Sequence, residues 1–90
     1  MRHPHFPAAA NIGYELGTQL VGVGIDGMER LADLGAREAW LRLRVQFPQR
    51  GDLATLLALQ GAIDDVLAPR LSAQLTAELR EWRKRHLADE

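Results

Sequence analysis

Three histidines, His3, His5 and His86, and a single serine, Ser72, are the side chains best suited by type to nucleophilic or acid–base chemistry in this 90-residue chain. Such chemistry needs a nucleophile and a base held within hydrogen-bond reach by a rigid scaffold. The histidines lie near the two termini, and none falls in a pattern that sets it beside a carboxylate. Ser72 stands where a helix N-cap accounts for it. His3-x-His5 offers two imidazoles without the third and fourth ligands of a specific metal site. Asp64-Asp65 reads as a solvated helix end. No cysteine is present, which excludes disulfides and thiolate-ligated metals. These residues propose no enzyme, no cofactor and no metal.

Two glycine-containing turns point to a different chemistry. Backbone N–H groups exposed at a helix N-terminus can hold a phosphate oxygen, as in helix-hairpin-helix modules. Asn11-Ile12-Gly13 precedes one helical stretch, and Gly22-Val23-Gly24 separates it from the next. A phosphate reading would use Asn11, Gly13, Gly22 and Gly24, with Arg37, Arg42 and Arg44 supplying charge. Arg37, Arg42, Arg44 and Arg50 against Glu38 form one basic stretch, and Arg80, Arg83, Lys84 and Arg85 against Glu81 form another. The net charge of −1 lacks the basic excess of a dedicated nucleic-acid binder. Glu15 also sets an anion beside the first turn. Both features weigh against DNA and towards protein contact.

The elements that carry these groups are helices. Residues 1–10, with His3, Pro4, His5 and Pro7, show no helical period and read as a flexible arm ahead of a single domain over residues 11–88. Leu16, Leu20 and Val21 define a first helix from Tyr14, stopped by Gly22-Val23-Gly24. Asp26 with Glu29 fits a capping box for a short helix through Met28, Leu31 and Leu34, ended by Gly35. Ala36, Ala39, Trp40, Leu43 and Phe47 form the apolar stripe of a third helix. Asp52 caps a fourth, apolar around most of its circumference and therefore central, running to about Val66 with Pro69 as its breaker. Ser72 caps the last, whose stripe of Leu71, Leu75, Leu79 and Trp82 exceeds what one small domain can cover. Leu75, Leu79 and Trp82 are therefore the expected interface of a homodimer. Hydrophobic residues make up 47% of the chain and charged ones 26%, the balance of a folded globule. With strand patterns absent, the class is all-α: a compact bundle of about five helices. No apolar run approaches the roughly 20 residues that span a membrane, and a cytoplasmic location is expected.

The ordered set Asn11-Ile12-Gly13, Leu16, Leu20, Val23-Gly24-Ile25, Leu31, Leu34-Gly35-Ala36 and Glu38-Ala39-Trp40-Leu41-Arg42-Leu43 resembles the C-terminal domain of TfoX-type (Sxy-type) competence regulators. Leu56-Leu57-Ala58-Leu59-Gln60-Gly61-Ala62 and Ala77-Glu78-Leu79-Arg80 continue the likeness, which covers roughly residues 11–82. It implies a helix-hairpin-helix-like (SAM-like) fold, here as a stand-alone copy of a domain that full-length regulators join to an N-terminal one. It also implies service in inducing DNA-uptake genes, and no catalytic residues. Tyr14-Glu15 stands where the family often has Pro-Lys, and the segment after Gly61 lacks a frequent His-Trp pair. The expected function is a non-enzymatic regulatory or adaptor domain acting through protein contacts in competence or transcription regulation. The alternative is a weak, sequence-independent DNA-binding module.

Overall fold

Caps set the helix boundaries of this chain, and most of them are visible as particular hydrogen bonds. The computed structural model describes residues 3–88, with side chains as far as Leu87; Met1 and Arg2 of the expected arm lie outside the described residues. In chain order the helices are α1 (Tyr14–Gly22), α2 (Met28–Leu34), α3 (Ala36–Gln46), α4 (Leu53–Asp64) and α5 (Ala73–Ala88). Short 3-10 turns at Pro48–Arg50 and Ala68–Arg70 precede α4 and α5. No strand occurs among the described residues, and the class is all-α as the sequence indicates.

The glycine stop after α1 is a Schellman closure. Ile25 N–H donates to Leu20 O at 2.9 Å and Gly24 N–H to Val21 O at 3.0 Å, with Gly24 in the left-handed region at φ 86°. The same closure ends α4 with Asp65 at φ 58°: Val66 N–H reaches Gly61 O at 2.9 Å. Helix α4 therefore stops at Asp64, earlier than the expected Val66 and before Pro69 can act. Asp52 and Ser72 cap as their types suggest, accepting from Thr55 N–H and Leu75 N–H, both at 3.1 Å. The capping box expected at Asp26 does not form. Extended Gly27 is the N-cap of α2, with no side-chain capping bond, and Asp26 instead offers its carbonyl to His5 Nδ1–H at 2.9 Å.

Helix α4 lies at the centre, packed against α2, α3 and α5. Its own Leu56 and Leu59 are fully buried, as are Leu20, Ile25, Leu31, Trp40, Leu43 and Leu79 from elsewhere in the chain. Burial of this set is the main favourable term in the fold, on the order of 25 cal/mol per Å² of apolar surface.

Residues 3–10, expected as an arm, are folded onto the bundle. Phe6 is fully buried in the core and His3 is almost so. Gly17, facing inward from α1, makes room: a β-carbon there would stand 2.5 Å from His3 Cβ. His5 N–H donates to His3 Nδ1 at 3.1 Å and fixes the imidazole. Asn11, left-handed at φ 69°, then clamps the incoming chain to the far end of α4. Its Nδ2 donates to Val66 O (2.9 Å) and to Ala58 O (3.4 Å), and its Oδ1 accepts from Ala68 N–H (2.9 Å). Gly61 permits that approach, since a β-carbon there would meet Asn11 Nδ2 at 2.5 Å and Val66 O at 2.6 Å.

Gly61→Ala is expected to cost about 2–3 kcal/mol by overpacking against backbone that cannot yield. Asn11→Ala loses three bonds and costs a similar amount, about 2–3 kcal/mol. Urea unfolding of each variant checks both values. A double variant no worse than either single one would show that the two residues form one clamp.

Candidate interaction surface

Helices α3 and α5 meet through two tryptophans. Trp40 is fully buried, and its indole N–H donates to Asp52 O at 3.1 Å. Trp82, half-buried, meets it edge-on with ring centroids 5.4 Å apart. Arg37 lies over Trp82 at 5.8 Å and Arg44 over Trp40 at 5.1 Å, so two of the α3 arginines shield these rings. His86 stacks on Trp82 at 4.0 Å and donates Nδ1–H to the Trp82 carbonyl at 3.0 Å. Arg83 reaches across to Gly51 O at 2.9 Å, tying α5 to the turn ahead of α4. Arg50 in that turn donates to Gln19 Oε1 at 2.6 Å and binds it to α1.

These contacts bring the two basic stretches alongside each other. Residues 37–50 and 80–85 together hold eight cations against two glutamates, while the rest of the chain holds three cations against ten acidic residues. The charge is thus strongly polarised although the total is near zero. Within the basic region Arg42 pairs with Glu38 at 3.3 Å and Lys84 with Glu81 at 3.6 Å, both exposed. Between the helices runs an open groove of about 500 Å³ lined by Arg37, Ala77, Glu78, Glu81, Trp82 and Arg85.

The glycine turns are arranged differently from the phosphate reading. The N–H groups of Val23 and Gly24 turn back to the C-terminal carbonyls of α1, so that turn is a helix end rather than a helix start. Asn11 spends both ends of its amide on α4 and the residues after it. Gly13 is an exposed N-cap without a side-chain bond, followed by Glu15 in the first turn of α1. Gly22 is the last residue of α1, with Phe47 nearby. The expected dimer stripe also changes. Leu79 is fully buried and Leu75 packs on the core, which leaves Trp82 as the one member that also lines the groove. The surface that sequence reasoning missed is Ala77, Glu78, Glu81 and Arg85, exposed on α5 beside Trp82. Its signal was the i, i+3, i+4, i+7 spacing of Glu78, Glu81, Trp82 and Arg85.

The model of the TfoX C-terminal domain family matches residues 5–83 of the chain. The chain belongs to that family. Its match begins at His5, inside the segment that folds onto the bundle. A crystal structure of an uncharacterized protein from Listeria monocytogenes is similar to this TfoX C-terminal domain, with 28% identity, a TM-score of 0.82 and 86% of each chain covered. No curated protein matches the chain. The family is of a regulatory type and is not a known enzyme family. No described helix is long and apolar enough to cross a membrane.

Trp82→Ala is expected to cost about 2–3 kcal/mol, below the range for a fully buried tryptophan because the ring is half-buried. Arg42→Ala, which removes one exposed pair, is expected to cost about 0.5 kcal/mol or less. Thermal unfolding of the two variants beside the parent measures the contrast.

Proposed function

We propose that this TfoX C-terminal domain is a non-enzymatic regulatory or adaptor module in competence or transcription regulation, acting through protein contacts made at the α3–α5 face. The observation that carries this reading is the groove itself. Arginine and tryptophan, the residues richest in binding hot spots, stand there around a small alanine, with carboxylates at the rim. A phosphate-binding turn would need free N–H groups, and those of Val23 and Gly24 are used inside the fold.

A second reading, weak sequence-independent DNA binding, is favoured by one observation: the Trp40–Trp82 contact sets the two basic stretches side by side. Glu78 and Glu81 within the groove oppose it, since each repels a phosphate backbone.

In-cell photocrosslinking from position 77 or 85 separates the two readings. The expected outcome is a discrete protein adduct that survives nuclease treatment. Loss of the adduct on nuclease treatment would reverse the assignment. So would in vitro binding to a short DNA duplex that falls steeply with salt, in proportion to the phosphates neutralised.

A further inference from the structure

We propose that the α3–α5 groove is a self-complementary surface through which two copies of this chain pair about a two-fold axis. The inference rests on the protein-contact reading and names the partner for that site. In a two-fold pair one patch meets itself, so a patch of a single charge sign repels its own copy and a patch carrying both signs attracts it. The groove carries both signs. Arg37 and Arg85 have no carboxylate within ion-pair distance among the described residues, although Glu78 and Glu81 share the groove with them. Among the described residues Glu78 is held only by a 3.4 Å bond from Gln74, and Glu81 by the exposed Lys84.

The order of these residues along α5 fits such a pair. Glu78, Glu81, Trp82 and Arg85 occupy one face over two turns, acidic at the start and basic at the end. Two antiparallel copies of α5, with the axis passing between Glu81 and Trp82, set Glu78 of each copy level with Arg85 of the other. The same register sets Glu81 level with Trp82. The two tryptophans differ in the corresponding way: the indole N–H of Trp40 has its acceptor in Asp52 O, while that of Trp82 has none among the described residues. A carboxylate from the second copy supplies the acceptor a tryptophan at an interface takes. Ala77, small and exposed, lets the helices approach. An acidic partner would satisfy the arginines and leave the glutamates opposed, and a nucleic acid would do the same more strongly. A second copy answers Glu78, Glu81 and Arg85 in one register.

Sedimentation equilibrium of the full chain tests this through charge reversal at two exposed positions, with circular dichroism confirming the fold of each variant. The parent is expected to dimerise at micromolar concentration, more weakly as salt rises. Glu78→Arg alone and Arg85→Glu alone each weaken association about tenfold or more, because each creates like-charge contacts across the axis. Mixing the two single variants restores association as a heterodimer, since both cross-axis pairs then have opposite signs. The double variant Glu78→Arg with Arg85→Glu restores it as a homodimer. A parent that stays monomeric at high micromolar concentration overturns the proposal, as does a mixture that remains monomeric. If a monomeric parent still gives nuclease-resistant protein adducts from position 85, self-pairing falls and the protein-contact reading stands. If those adducts are also absent, both fall.

Discussion

The hydrogen bond from the buried indole of Trp40 to the carbonyl of Asp52 is the constraint on which the arrangement of this domain turns. A buried tryptophan whose N–H lacks an acceptor carries the full desolvation cost of that donor, about 1–3 kcal/mol. Asp52 supplies that acceptor with its backbone while its side chain caps α4. One residue thus fixes where the central helix begins and where the largest core side chain points. The ring of Trp40 then presents an edge contact to Trp82, and that contact holds α5 beside α3. Arg83 on α5 closes the same loop by bonding to Gly51, the residue before Asp52. The relative placement of α3, α4 and α5 follows from this small set of bonds.

The division of α5 into two faces follows in turn. Leu75 and Leu79 point at the core, and Ala77, Glu78, Glu81 and Arg85 point away from it. Trp82 lies at the boundary, covered on one side by Trp40 and His86 and lining the groove on the other. A side chain so placed adds to stability and is also available to a partner.

Much of this was legible in the sequence, and what was not has identifiable physical causes. Helix class, the central role of α4, the caps at Asp52 and Ser72 and the glycine stop after α1 follow from local rules. The left-handed residue ending α4 was missed because it is an aspartate, Asp65, where glycine is the usual sign. The Asp26–Glu29 spacing suggested a capping box, but Gly27 stands between them in an extended conformation and takes the N-cap position. Residues 3–10 lacked any periodicity, yet Phe6 is core. The available hint was Gly17, a helix-interior glycine that costs about 1 kcal/mol relative to alanine and so marks a close approach, here by His3. The reach of Asn11 to residues more than forty positions away is a tertiary fact with no local signature. Leu75 and Leu79 were counted as surplus stripe before the depth of the core was known; the core takes both.

Trp40 is sealed in the core, whereas Trp82, packed against it, keeps one side on the groove. Hydrogen exchange of the two indole N–H protons, followed by NMR in dilute protein, tests this contrast most directly. Trp40 Nε1–H is predicted to exchange only through global unfolding, with protection equal to that of the slowest backbone amides. Trp82 Nε1–H is predicted to exchange orders of magnitude faster under the same conditions. Equal protection of the two protons, or rapid exchange at Trp40, would contradict this account of the fold.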